Sequence, residues 1–183
     1  MGLFTAGLPD FPWDTLAPYA ERARAHSDGI VDLSVGTPVD PTPEAVRRAL
    51  ADAADAPGYP TTQGSAAFRE AVTAWFARRR GVPGLDPAAV LPTIGSKELV
   101  AWLPSLLGLG PGDVVVHPEV AYPTYDIGAR LAGATALPAD DVAGWADRGD
   151  VRLVWLNSPS NPTGDVLGVP QLRAVVALSL IHI

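Results

Sequence analysis

The sequence predicts an α/β fold: a mostly parallel sheet with helices on both faces, preceded by an N-terminal arm and a small helical element. Two observations carry this. From Val90 to Val176 apolar segments of strand length alternate with segments of helical period. Two of those strands, VVVH at 114–117 and VRLVWL at 151–156, are nearly continuous apolar runs rather than alternating ones. Strands covered on both faces read that way, and helical crossovers between them imply parallel pairing.

Taken in order, residues 1–12 are punctuated by Pro and Gly and read as an extended arm, and Trp13–Ser27 as a helix stopped by Asp28-Gly29. Ile30–Val35 alternates like a short strand. Thr42-Pro43-Glu44 is an N-cap with proline at the first helical position, opening a helix to about Ala54. Residues 55–64 form a loop, and Ser65–Arg80 a helix with Phe68, Val72, Trp75 and Phe76 on one stripe and Gly81 as its left-handed stop. Strands follow at Val90–Ile94, Val114–His117, Ala134–Leu137 and Val151–Leu156. The helices between and after them are Ser96–Leu107, Thr124–Leu131, a short Val142–Ala146 and Val169–Val176.

Composition narrows the function. The 183 residues are 48 % hydrophobic and 18 % charged, with mean hydropathy +0.17, which describes a chain with a core rather than a disordered one. Thirteen basic against twenty acidic residues give a net charge of −7. That balance argues against nucleic acid as a partner. Without cysteine there are no disulfides, thiolate metal sites or thiol nucleophiles, and His26, His117 and His182 are too scattered for a metal site. No secretory leader and no apolar run of membrane-spanning length is found, so no membrane association and a cytoplasmic location are expected. Lys97 is the sole lysine.

Four loops carry unusual content, and ligands of open α/β sheets bind at the carboxyl ends of the strands. Gly95-Ser96-Lys97 runs into a helix whose N-terminus favours an anion, although serine before a helix is also a common cap. Tyr122 and Tyr125 flank Pro123 directly after a buried strand, where a ring can stack on a flat heterocycle or simply pack its loop. Residues 157–164 (NSPSNPTG) hold two Xaa-Pro bonds, a place for a cis peptide, and present the Asn161 amide as a donor. Gly36 ends a predicted strand and Tyr59 lies in the loop at 55–64.

Together and in this order, these segments resemble the class I/II aminotransferases, pyridoxal 5′-phosphate enzymes of fold type I, over about residues 9 to 177. More narrowly, FPWDTL, DGIVDLSVGTPVDP, GSKELVAWLP, AYPTYDIGARLAGA and LNSPSNPTG resemble the actinobacterial succinyldiaminopimelate transaminases of lysine biosynthesis. The resemblance implies that Gly95, Ser96 and Lys97 hold the cofactor phosphate, that Tyr122 stacks on the pyridine ring, and that Asn161 bonds its phenolic oxygen. It implies that Tyr59 reaches the neighbouring subunit's cofactor in a homodimer and that Gly36 lies beside the substrate carboxylate. Amino acids and 2-oxo acids are the implied substrates, with glutamate as amino donor and 2-oxoglutarate as its product.

Within that resemblance, residues 1–57 correspond to the arm and part of a small domain, and 58–177 to the N-terminal part of the cofactor-binding large domain. Residues 178–183 are an atypical tail, expected to mark a truncation or frame error. The family's Schiff-base lysine, its carboxylate at the pyridine nitrogen and its substrate-clamping arginine all follow the NPTG segment. No catalytic residue is therefore expected among these 183, and the chain alone is expected to be inactive. Two alternatives stand beside this reading: another fold type I enzyme, such as a different transaminase or a C–S lyase, and a non-catalytic cofactor-binding module.

Overall fold

The computed structural model describes residues 8–10 and 12–181, with side chains as far as Leu178. Most of the predicted N-terminal arm and the last two residues of the tail lie outside the described residues. The chain divides into two compact units, one holding Thr93–Ile183 and the other Asp10–Pro92.

The Asp10–Pro92 unit is helical. Trp13–Ser27 is not one helix: a 3₁₀ turn at Asp14–Leu16 precedes α1, Ala17–Arg24. Pro18 has no N–H to return to the Asp14 carbonyl, so an α-helical ladder cannot run through it. The second helix, α2, covers Glu44–Asp52, with extended Pro43 at the cap position and no capping side chain. Thr42 thus lies one residue too far out to cap it. The third, α3, is Ala66–Arg80, capped by Ser65, whose Oγ accepts the Phe68 N–H at 3.1 Å. Gly81 ends it at φ +65°, a conformation in which glycine costs least. On its stripe, Trp75 and Phe76 meet edge to face at 5.1 Å, and the Arg80 guanidinium lies 5.1 Å over the Trp75 ring. No described residue of this unit is fully buried.

Two predicted strands, Ile30–Val35 and Val90–Ile94, are irregular chain. A strand exists only where a neighbour completes its hydrogen-bond ladder. Their apolar side chains instead point outward, Val31 84 %, Leu33 87 % and Ile94 94 % exposed.

The unit at Thr93–Ile183 is the predicted α/β core. Helix α4, Ser96–Leu106, leads to β1, Val114–His117; α5, Thr124–Leu131, follows, then β2, Thr135–Pro138. The segment predicted helical at 142–146 is a 3₁₀ turn, Val142–Gly144, capped by Asp141. Then come β3, Val151–Val154, and α6, Val169–Ile181, which continues past the predicted end because no Gly or Pro stands between Val176 and Ile181.

The sheet order is β2-β1-β3, and both pairings are parallel, as the sequence predicts. Only β1 is central, which is why it alone is buried along its whole length. Strand alternation sorts its side chains onto two faces. Val114 and Val116 pack with Trp145, and against them Leu137, Val154 and, from α6, Val175 and Leu178. Val115 packs on the other face with Ala129 of α5 and Ala134, with Leu153 and Trp155 beside them. Helices thus cover both faces. Burying Val115 and Val116 completely stabilises the sheet by about 1.5–3 kcal/mol each.

Among the described residues no helix is long and apolar enough to cross a membrane.

Candidate functional site

The chain enters α4 through Gly95, at φ +150° and ψ 153°, with no capping side chain. Ser96 is therefore the first helical residue and not the cap, so the ordinary N-cap reading does not apply. Without a capping side chain, the first turn keeps amide donors and a positive dipole end for an anion, while Glu98 adds one carboxylate to that turn. A Cβ at Gly95 would meet nothing within 4 Å, so this approach to the helix is open.

Tyr122 stands in the turn between β1 and α5. Its carbonyl accepts the Tyr125 N–H at 3.2 Å, which begins the helical winding before Thr124. Tyr122 is half-buried, and the Lys97 Nζ lies 5.5 Å from the centroid of its ring. This is the contact that unites two predicted site residues: a cation at the head of one helix and an aromatic face at the head of the next.

The crossing of α4 and α5 holds them together. Pro104 lies inside α4 and is buried; having no N–H, it gives the Val100 carbonyl no helical donor. Gly128 of α5 packs against that carbonyl so closely that a Cβ there would stand 2.7 Å from Val100 O and 3.1 Å from Ala101 O. Only glycine permits this approach.

The loop after β3 is fastened by its own side chains. The Asn161 N–H donates to Asn157 Oδ1 at 2.8 Å and the Leu167 N–H to Ser158 Oγ at 2.9 Å. Ser160 N–H reaches the Asp165 carbonyl at 2.8 Å. The Ser158-Pro159 and Asn161-Pro162 bonds are both cis. With its backbone held, Asn161 turns an exposed side chain outward.

Gly36 and Tyr59 belong to the other unit. Gly36 lies in exposed chain with open space around it, and Tyr59 is 100 % exposed beside Gly58, whose φ is +85°.

Two participants escaped the sequence reading. Asn157 acts as the acceptor that fixes Asn161; an Asn four residues upstream in a proline turn was the available signal. Trp155 packs its ring 5.5 Å from that of Tyr125, tilted by 54°, linking the first turn of α5 to the strand before the other loop.

Comparison with known proteins places the chain in a family. Residues 28–182 match the family described as aminotransferase class I and II. The chain is 58 % identical over 170 residues to the 4-dedimethylamino-4-oxo-anhydrotetracycline transaminase OxyQ of Streptomyces rimosus, covering 93 % of this chain and 47 % of that protein. It is 61 % identical over 175 residues to a probable aminotransferase of Mycobacterium tuberculosis, covering 96 % and 42 %. Among solved structures, the N-succinyldiaminopimelate aminotransferase of M. tuberculosis superposes with a TM-score of 0.74 at 30 % identity, covering 92 % of this chain and 46 % of that one. The chain belongs to the class I and II aminotransferases, a family of pyridoxal 5′-phosphate enzymes, and spans about half the length of the relatives it matches.

Proposed function

We propose that this chain supplies the front part of the cofactor site of a pyridoxal 5′-phosphate-dependent aminotransferase. The observation that carries the reading is the Lys97 ammonium over the Tyr122 ring at the uncapped head of α4. An anion and a flat ring, joined by a short –CH2–O– link, are what this pair is suited to take. Gly95, Ser96 and Lys97 would hold the phosphate through amides, a hydroxyl and a charge. Tyr122 would offer its face to the pyridine, and Asn161 a side-chain donor to the phenolic oxygen. When bound, the cofactor supplies an electron sink for the substrate's α-carbon. The chain's own residues orient it. Lys97 is assigned to the phosphate, so the reading gives it no proton-transfer or covalent role.

Gly36 beside the substrate carboxylate, Tyr59 reaching a second subunit's cofactor, a homodimer and a cytoplasmic location complete the proposal; the first three rest on family resemblance and the last on the sequence reading above. The substrate class, an amino acid exchanged against a 2-oxo acid, rests on family resemblance too. A succinylated diaminopimelate is favoured by the motifs and by the likeness to the M. tuberculosis structure. The second reading, a polycyclic ketone as amino acceptor, is favoured by the higher identity to OxyQ.

The test of the cofactor site is a titration of this chain with pyridoxal 5′-phosphate, followed by quenching of its five tryptophans. Saturable quenching, stronger than with unphosphorylated pyridoxal and weakened in Ser96→Ala and Asn161→Ala, is the expected result. A flat titration would remove the proposal. The two substrates are separated by a turnover panel on a polypeptide of the relatives' full length.

A further inference from the structure

We propose that His117 and Trp155 form a buried acceptor–donor pair joined by one water molecule, which ties together the roots of the two loops carrying Tyr122 and Asn161. The tie itself does not rest on the cofactor reading; its consequence for Tyr122 and Asn161 does.

His117 is the last residue of β1 and only 7 % exposed. Alternation along the strand places its side chain on the Val115 face. Trp155 directly follows β3, and its backbone N–H donates to the Val116 carbonyl at 2.9 Å, adding one rung to the parallel ladder. Its ring packs in the Val115 cluster. The two side chains therefore rise from the same face of adjacent strands, whose spacing is about 4.8 Å.

Their ring nitrogens are complementary. His117 Nδ1 lies 2.8 Å from the Pro118 carbonyl, which can only accept, so Nδ1 carries a proton; the proposed tie takes that as the ring's one proton, with Nε2 as its acceptor. The Trp155 Nε1–H can only donate. Both Nε2 and Nε1 are buried, and neither has a hydrogen-bond partner among the described residues. Leaving such groups unpaired is costly. Each ring is already committed, His117 by its bond to Pro118 and Trp155 by its packing on Tyr125, so neither swings freely to meet the other. A single water accepting from the indole and donating to the imidazole satisfies both.

The position gives the tie its purpose. Tyr122 follows His117 by five residues and Asn161 follows Trp155 by six. A bond between the two roots fixes the separation of loops that otherwise leave the sheet from different strands. His117 and Trp155 are positioning residues, since neither is placed against cofactor or substrate.

The test is nitrogen NMR on the full ¹⁵N-labelled chain. The expected spectrum shows His117 with its proton on Nδ1, a slowly exchanging Trp155 indole proton, and a cross-peak from that proton to bound water. His117→Gln, which keeps an acceptor, should retain slow exchange, whereas His117→Leu should speed it about tenfold. A proton on Nε2, a scalar coupling directly between the two nitrogens, or equal exchange in wild type and leucine variant would overturn the inference. The wild-type tautomer and water contact decide the matter even if the leucine variant does not fold. A chain that gives these signals but no saturable quenching by pyridoxal 5′-phosphate keeps the tie and loses the cofactor reading.

Discussion

The Lys97 ammonium stands 5.5 Å from the centre of the Tyr122 ring, joining the first turn of α4 to the turn that opens α5. An exposed contact of this kind contributes about 0.5–1 kcal/mol by itself, so its importance lies in what it presents to a ligand. Replacing Lys97 by Gln should leave the folded chain intact and weaken pyridoxal 5′-phosphate at least about tenfold, as a charged hydrogen bond of about 1.5–3 kcal/mol is lost. Tyr122→Leu should weaken phosphorylated and unphosphorylated pyridoxal alike. The lysine variant should lose affinity for the phosphorylated compound alone, and fluorescence titrations of both variants with both compounds check the difference.

Asn157 governs the other loop. Asn157→Ala removes the acceptor of the Asn161 N–H and should cost about 1 kcal/mol, with Asn157→Asp close to wild type. Amide hydrogen exchange at Asn161 should accelerate in the alanine variant and not in the aspartate variant. Equal rates in both would show that the turn holds its shape without this bond.

Gly128→Ala meets backbone, not a yielding side chain. The added carbon would stand 2.7 Å from the Val100 carbonyl oxygen, and α4 and α5 must separate to admit it. The expected loss is about 1–3 kcal/mol, read from urea midpoints, and it should come with weaker cofactor binding because Lys97 and Tyr122 ride on those helices.

Acid should loosen the chain through particular carboxylates. Asp150 is held below the ordinary aspartate range by its hydrogen bond from Arg148, and Asp32 by the Ser34 hydroxyl and N–H. A lowered folded value means that the stability from these bonds is complete above the unfolded value of about 4 and is lost as pH falls through the folded one. Asp150→Asn should therefore flatten that part of the acid limb of a stability–pH curve. Added salt should weaken the Arg148 contribution, since that pair is over 40 % exposed on each side.

Much of the α/β unit was legible because its signals are local. A run of valines and a following helical period place β1 and α5 to the residue, and Ser65 and Gly81 bracket α3 as caps should. Ile30–Val35 and Val90–Ile94 were misread because alternation describes a side chain's wish for two environments, not the presence of a pairing partner. The site divides in the same way. Gly95, Ser96, Lys97, Tyr122 and Asn161 stand out by residue type and loop position, whereas the meeting of Lys97 with Tyr122 is set by a helix crossing that no short window contains. Pro104 and Gly128, which make that crossing, lie in different helices, so no local pattern pairs them.

That crossing behaves as a calliper. Its pivot is a carbonyl against a hydrogen-only side chain, a contact with no rotamer to adjust, and its two jaws are the helix heads bearing Lys97 and Tyr122. The gap is thus set by main-chain geometry. Surface residues along either helix can change freely without resetting the instrument, whereas one methyl group at the pivot spoils its calibration.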